Sequence, residues 1–258
     1  MSPPSHRRRG IYLLPNLLTT ANLFSGFYAV LSIFNADYVL AAIAILVATI
    51  FDSVDGKAAR LARATTRFGL EYDSLADVIS FGVAPGLLIY TWALSAYGRL
   101  GWVAAFLYLV CGAMRLARFN AQAPGAAGNY FFGLPIPAAA GLLASIILLD
   151  HHILRLGQEI RPVLILALTY LLAFLMVSTI QYRSFKDFNL RDRKPFHVLV
   201  TAVLILTMFV AAPQIMCFAL FASYAASGLL EPLVMAVARR PAQEPGPRPV
   251  EAASEDEL

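Results

Sequence analysis

Charged residues are scarce in this sequence. Asp, Glu, Lys and Arg together make up 14% of the chain, whereas an ordinary soluble domain carries about 25%. Hydrophobic residues make up 59%, and the mean hydropathy is +0.67. This balance excludes a soluble domain held by a single anchor. It predicts an all-α fold, a polytopic bundle of membrane helices, with no polar block large enough to form a second domain.

Cysteine and histidine are scarce as well, which excludes the sites that these residues usually build. Cys111 and Cys217 fall in separate apolar runs and show neither metal-ligand spacing nor a disulfide framework. The 4 histidines are dispersed, and the pair His151 and His152 is predicted to lie on the outer side of the membrane. We therefore expect two buried free thiols and no metal site built from histidine. We also expect no nucleic-acid partner.

Apolar runs of the length that crosses a bilayer, about 20 residues, recur along the chain. They predict about eight transmembrane helices, at roughly 14–34, 39–60, 70–95, 101–121, 134–154, 161–181, 196–212 and 214–237. A basic segment, 1–13, precedes the first helix. The tail, 239–258, is rich in Pro, Glu and Ala without an apolar period, and is predicted to be disordered.

The positive charges are distributed unevenly over the two sides of this bundle. With the N-terminus in the cytoplasm, only Arg99, Arg155 and Arg161 of the 20 Lys and Arg residues fall on the outer side, which leaves 17 inside. The positive-inside rule then predicts that both termini are cytoplasmic and that the number of helices is even. We expect a multi-pass protein of the cell's inner (plasma) membrane.

Four aspartates interrupt the apolar pattern at the end of the second helix and the start of the third. Asp52 and Asp55 are three residues apart, and Asp73 and Asp77 are four apart, so each pair shares a helix face. Ionisable groups in membrane helices are costly and mark functional sites. The spacing leaves three interpretations open: a metal-dependent catalytic site, an ion- or proton-translocating site, or a structural cluster with Lys57, Arg60 and Arg67.

The residues between the two pairs favour a site for a diphosphate. Gly56 and Gly69 permit a close approach to the backbone, and Ala59 keeps the same helix face shallow. Arg60 offers a planar fork that suits phosphate oxygens. Carboxylates for a hard cation, small residues for approach and an arginine for anionic oxygens are together typical of a metal-bound diphosphate.

The whole stretch has the pattern Asp52-x-x-Asp55-Gly56-x-x-Ala59-Arg60, eight residues, Gly69-x-x-x-Asp73-x-x-x-Asp77. It resembles the signature of the CDP-alcohol phosphatidyltransferases at every position. The resemblance implies a six-helix family core, here within 14–190, followed by a C-terminal helix pair at 191–238. It also implies a homodimer and transfer of a phosphatidyl group from a CDP-linked lipid to an alcohol.

The same resemblance implies roles for the residues of the signature. Two divalent ions, Mg²⁺ or Mn²⁺ with Ca²⁺ as a further candidate, would be held by the aspartates. The last aspartate would act as the general base. The CDP moiety would be bound by the small residues and the arginine of the signature: Gly56, Ala59, Arg60 and Gly69. The expected reaction is direct displacement, without a covalent enzyme intermediate.

Four further stretches resemble the serine-using class of this family: PNLLTTANLFSGF (15–27), DVISFGVAP (77–85), RLARFN (115–120) and GLPIPAAAG (133–141). They imply that CDP-diacylglycerol and L-serine react to give phosphatidylserine and CMP. The alternatives are transfer to inositol phosphate, glycerol phosphate or choline, and an ion-coupled transporter that uses the same aspartates.

A serine acceptor needs a fixed cation for its carboxylate. The candidates are Arg115 and Arg118, which share a helix face, with Asn120 beyond them and Lys186 in a later polar loop. An inositol phosphate or glycerol phosphate acceptor would also require cations, and both arginines could instead anchor the helix at the interface. On the first helix, Asn16, Thr19 and Asn22 either line the site or form interhelical hydrogen bonds.

Overall fold

The structure is a computed structural model that describes residues 13–61, 66–121, 130–154, 160–183 and 195–238. The helices in this part of the chain are α1 (Leu13–Phe34), α2 (Tyr38–Leu61), α3 (Arg67–Asp77), α4 (Ala84–Trp92), α5 (Arg99–Ala121), α6 (Ile136–Leu149), α7 (Ile160–Val177), α8 (Pro195–Ala211) and α9 (Pro213–Ala238). A π-helical turn, Val78–Val83, joins α3 to α4, and a second one, Asp150–Leu154, extends α6.

The predicted helical membrane fold is confirmed. Six helical stretches in the described ranges are long and apolar enough to span a bilayer: Leu14–Phe34, Tyr38–Ala58, Arg67–Trp92, Arg99–Ala121, Ile136–Leu154 and Pro213–Leu230. Two shorter apolar helices, Arg161–Val177 and Leu199–Ala211, occupy the remaining two predicted positions. The chain is therefore a multi-pass membrane protein.

Small residues allow the central helices to approach each other closely. Along α2, Ala41, Ala44 and Ala48 are buried where this helix meets its neighbours. Almost every residue of α6 is buried, which places this helix at the centre of the bundle. Close packing of small side chains is a main source of helix association within membranes, because the lipid itself provides no hydrophobic drive.

Within the third predicted helix, the regular series of backbone hydrogen bonds is interrupted before Pro85. Pro85 has no N–H, so it cannot donate to the carbonyl of Phe81 four residues earlier. The hydroxyl of Tyr108, which is fully buried on α5, donates to that carbonyl at 3.1 Å. The π turn before Pro85 is thus stabilised from a neighbouring helix, and it begins directly after the last aspartate of the signature.

A short two-stranded antiparallel ribbon, β1 (Tyr130–Phe132) with β2 (Gln181–Arg183), differs from the sequence prediction of helix up to residue 181. Next to the ribbon, Gly133 N–H donates to Ile180 O at 2.8 Å, and Leu134 N–H donates to Leu175 O at 3.0 Å. Because these partners lie more than 40 residues apart in sequence, local hydrophobic periodicity does not reveal them.

Candidate active site

The turn between α2 and α3 brings the aspartates of the two helices together. Thr66 is the N-cap of α3, and its hydroxyl accepts a hydrogen bond from the Gly69 N–H at 3.0 Å. This cap starts α3 at Arg67, three residues before the predicted start, and directs the Asp73 face towards α2. Oxygen atoms of Asp52, Asp55 and Asp73 lie within 4.8 Å of one another. We call these three residues the carboxylate group.

The fourth aspartate of the signature, Asp77, lies beside the carboxylate group. Its carboxyl group interacts with that of Asp52, and its Oδ1 accepts a hydrogen bond from the Asn22 amide at 3.1 Å. The side chain is buried at the junction between α3 and the π turn. Asp77 is therefore held in one orientation next to the other three aspartates.

Two polar residues of α1 contact the aspartates directly. Thr19 Oγ1 donates to Asp55 Oδ2 at 3.0 Å, and Asn22 donates to Asp77. Both residues are buried. The interhelical hydrogen bonds expected for these residues are observed, and because their acceptors are aspartates of the signature, both residues also border the site. The positions of Thr19 and Asn22, five and eight residues after the predicted start of the first helix, could not identify those acceptors.

A close approach between α1 and the π turn fixes these contacts. A Cβ atom at Gly26 would lie 2.3 Å from Ser80 Oγ and 2.6 Å from Ser80 Cα, so only glycine permits this helix spacing. Ser80 Oγ in turn donates to the Asn22 carbonyl at 3.1 Å. The residue that binds Asp77 is therefore anchored to the turn that follows Asp77.

The donor set fits a hard divalent cation. Three carboxylates at this separation repel one another unless a cation lies among them, and oxygen donors of this kind suit Mg²⁺, Mn²⁺ or Ca²⁺. Asp73 Oδ1 is buried without a hydrogen-bond partner in the described part of the chain. Among the side chains that the structure describes, neither Lys57 nor Arg67 forms an ion pair with an aspartate. The carboxylate group could therefore bind a divalent metal ion.

The residues predicted to bind the CDP moiety border the carboxylate group along the chain. Gly56 follows Asp55 in α2, and Gly69 lies in the first turn of α3, where a Cβ atom would be 3.5 Å from Asn16 Oδ1 of α1. Ala59 and Arg60 belong to the last turns of α2, but their side chains lie outside the described part of the structure. The role of these four residues stays a prediction.

A small cavity opens directly onto the aspartates. Its volume is about 230 Å³, and α3, α5, α6 and α9 contribute to its wall. The polar side chains that line it are Asp73, Ser74, Asp77, Arg115, Asn120 and Tyr224. Arg115 is only 9% exposed, and its Nε has no hydrogen-bond partner in the described part of the chain. The buried guanidinium of Arg115 and two carboxylates of the signature, those of Asp73 and Asp77, therefore line the same cavity.

The other three predicted acceptor residues have different surroundings. Arg118 donates to the carbonyls of Val177, Phe132 and Ser178 at 3.0, 3.0 and 3.3 Å, so its guanidinium holds the end of α7 to β1. Asn120 lines the cavity and donates to Ser74 Oγ at 2.8 Å. Lys186 lies outside the described residues.

A second polar cavity, of about 400 Å³, lies at the opposite end of the bundle. Arg161 forms an ion pair with the buried Asp150 at 3.3 Å and lies 5.0 Å from the centre of the Trp92 ring. These contacts join the ends of α4, α6 and α7. Because they lie far from the carboxylate group along every helix, we assign this cavity no part in the chemistry.

Comparison with known proteins agrees with the geometry. The model of the CDP-alcohol phosphatidyltransferase family matches residues 12–179. A CDP-diacylglycerol–serine O-phosphatidyltransferase of Helicobacter pylori is 42% identical over 178 residues, which cover 68% of this chain and 74% of that protein. The protein of the same name in Bacillus subtilis is 34% identical over 173 residues, which cover 67% of this chain and 91% of that protein. An archaetidylserine synthase of Methanothermobacter thermautotrophicus is 38% identical over 174 residues, covering 66% and 69%.

The matched region contains the carboxylate group, Asp77 and the α1 residues that hydrogen-bond to them. The sequence signature, the helical membrane fold and the grouped aspartates therefore agree with the comparison. This chain belongs to the CDP-alcohol phosphatidyltransferase family.

Proposed function

We propose that this protein transfers a phosphatidyl group from CDP-diacylglycerol to L-serine, which yields phosphatidylserine and CMP. The observation that carries the proposal is the composition of the small cavity, where Asp73 and Asp77 lie with the buried guanidinium of Arg115. An alcohol bound there would have carboxylates for its hydroxyl group and a fixed cation for an acidic group. Serine has both groups, and the names of the three relatives share serine.

Asp52, Asp55 and Asp73, together with Asp77, would hold two divalent ions, Mg²⁺ or Mn²⁺. When bound, such ions act as Lewis acids that neutralise charge on the diphosphate and on the departing CMP. Thr19 and Asn22 hold the carboxylates in place through their hydrogen bonds, and such partners commonly change metal affinity or activity by about 10- to 100-fold when removed.

Asp77 would act as the general base. It lies outside the carboxylate group, and the Asn22 amide fixes its orientation, so it is the aspartate best placed to accept a proton. The serine hydroxyl oxygen attacks the lipid-side phosphorus while its proton passes to Asp77. The new oxygen–phosphorus bond forms as the diphosphate bond breaks, and CMP leaves with the bonding electron pair.

The substrates would occupy opposite sides of the carboxylate group. Gly56, Ala59, Arg60 and Gly69 would bind the CDP moiety, and the acyl chains would lie among the helices in the lipid. Arg115 would bind the serine carboxylate through charge-assisted hydrogen bonds, with Asn120 at the same cavity. Arg118 is a weaker candidate than Arg115, because three carbonyls already accept hydrogen bonds from its guanidinium.

The site would face the cytoplasm of a cell whose inner (plasma) membrane contains the protein. The uneven distribution of Lys and Arg supports this orientation, and it would give the site access to soluble serine. A homodimer remains a further prediction from the family resemblance.

The proposal is tested by the release of CMP from CDP-diacylglycerol by the purified protein in mixed micelles. Release should require both an acceptor and Mg²⁺ or Mn²⁺, and among serine, glycerol phosphate, inositol phosphate and choline it should be fastest with serine. If CMP release is faster with another acceptor, that alcohol takes the place of serine in the proposed reaction. No release with any acceptor would favour the ion-coupled transporter.

A further inference from the structure

The geometry points to Tyr224 of α9 as a specificity-determining residue, whose ring closes the acceptor cavity and limits it to a small amino-acid alcohol. This inference rests on the proposed function, since it assumes that the small cavity beside the aspartates receives the acceptor. It goes further because α9 lies beyond the matched family region, residues 12–179. A helix outside that region would thus help to select the substrate.

Tyr224 is the only α9 residue among those lining the cavity in the described part of the chain. The other walls come from α3, α5 and the start of α6, all of which lie within the matched region. Tyr224 and Arg115 both line this cavity, so the phenol shares the cavity with the cation that would bind the acceptor. Replacing Tyr224 by a small residue would therefore enlarge the cavity on the side of Arg115.

Close packing holds the Tyr224 segment of α9 in a fixed position. A Cβ atom at Gly228 would lie 2.2 Å from Cζ of Tyr182, so this turn of α9 rests directly on the Tyr182 ring. The Tyr182 hydroxyl donates to the Ala225 carbonyl at 3.3 Å. One turn earlier, the Phe221 ring packs on Gly141 of α6.

The Tyr182 ring also contacts Tyr224 itself. The two ring centres are 5.6 Å apart and the rings are tilted by 37°, an arrangement within the range of favourable aromatic pairs. Tyr182 lies in β2, which the Arg118 hydrogen bonds and the ribbon fix to the end of α7. The position of the Tyr224 ring is therefore determined by contacts on the side away from the cavity.

The volume of the cavity suits a small acceptor rather than a large one. Its volume of about 230 Å³ is below the roughly 300–1,000 Å³ that is usual for sites that bind drug-sized ligands. Homoserine has the ammonium, carboxylate and primary hydroxyl of serine and one more methylene. An extra methylene in a close-fitting pocket lowers kcat/KM by roughly 10- to 200-fold. The wild-type protein should therefore prefer serine to homoserine by about this factor.

The test compares kcat/KM for serine and homoserine, measured by CMP release, in the wild type and three variants. Tyr224→Ala should reduce the preference for serine by about tenfold or more. Tyr224→Phe keeps the ring and should leave the preference within about threefold of the wild-type value. The matched control is Leu220→Ala, one turn away on the same helix, where the side chain is 56% exposed on the outer face of the bundle. It should behave like the wild type.

CDP-diacylglycerol binding, measured without acceptor, separates a local effect from a folding defect. The inference is supported if Tyr224→Ala changes the acceptor preference while the Kd for CDP-diacylglycerol stays unchanged. It is overturned if the preference is unaltered, or if CDP-diacylglycerol binding and serine use weaken equally. If the wild type uses another alcohol, the proposed function fails, and the same variants compared with that alcohol and its one-methylene homologue still decide the role of Tyr224.

Discussion

Single side chains on α1 hold the aspartates of α2 and α3 in position. Thr19 and Asn22 each donate one hydrogen bond to a carboxylate from a different helix. The sequence predicted the four aspartates because their spacing is local. It could not predict which aspartate each α1 residue contacts, because that depends on how α1 packs against the other two helices.

Thr19→Val should weaken metal binding. The change keeps the shape of the side chain but removes the donor to Asp55, and losing such a partner commonly costs about 10- to 100-fold in metal affinity or activity. The Mn²⁺ concentration that gives half-maximal CMP release should therefore rise. Thr49→Val is the matched control, since in the described ranges the Thr49 hydroxyl donates to Ile45 O of its own helix and to no aspartate. An equal rise in both variants would contradict the role of Thr19.

The two arginines of RLARFN should differ when each is replaced. Arg115→Gln removes the buried cation of the cavity and should lower kcat/KM for serine by roughly 10- to 150-fold, the equivalent of about 1.5–3 kcal/mol for a charge-assisted hydrogen bond. Arg118→Gln removes three hydrogen bonds to carbonyls and should instead lower the thermal stability. Serine kinetics and thermal unfolding of both variants provide the comparison, and a loss of serine use without loss of stability in Arg118→Gln would reverse the assignment.

At the scale of the helices, the sequence predicted where each one lies but not how it is interrupted. The predicted ends agree with the structure to within a few residues for α1, α2 and α5. The π turn at Val78–Val83 and the β ribbon were not predicted. Both depend on hydrogen bonds to distant parts of the chain, such as the one from Tyr108 to the Phe81 carbonyl, whereas periodicity reports only local burial.

Gly26→Ala should separate α1 from the π turn. The new Cβ atom would lie 2.3 Å from Ser80 Oγ and 2.6 Å from the Ser80 backbone, and overpacking of this kind typically costs about 1–3 kcal/mol. Because Asn22 lies one turn away, we expect slower CMP release as well as a lower unfolding temperature. Gly86→Ala is the control, since its Cβ atom would be 3.4 Å from Ala105 O, its nearest neighbour in the described part of the chain. Equal tolerance of both changes would contradict the close approach.

At the scale of the whole molecule, alternating helix directions place the carboxylate group at one end of the bundle and the Asp150–Arg161 ion pair at the other. The hydrophobic composition and the apolar runs of about 20 residues together predicted a multi-pass bundle, because a helix of that length spans the bilayer. The domain organisation, with a C-terminal pair added to a family core, stays a prediction. So does the orientation, which rests on the charge distribution.

Thiol labelling of single cysteines should reveal that orientation. In a background without Cys111 and Cys217, a cysteine at the exposed position Glu71, near the start of α3, should be protected from impermeant reagents in intact cells. A cysteine at the exposed position Asn35, between α1 and α2, should be labelled. The reverse pattern would place the aspartates on the outer side of the membrane and contradict a cytoplasmic site.

The most direct test of the central claim is the rate of CMP release from CDP-diacylglycerol and serine, measured over a range of Mn²⁺ concentrations. Asp52→Asn, Asp55→Asn and Asp73→Asn keep the shape of the side chain but each removes one carboxylate from the group of three. Each change should nearly abolish release while the unfolding temperature stays close to that of the wild type, because stabilisation specific to the transition state is lost. Near-wild-type release by any of the three variants at saturating Mn²⁺ would contradict a shared metal site built by these aspartates.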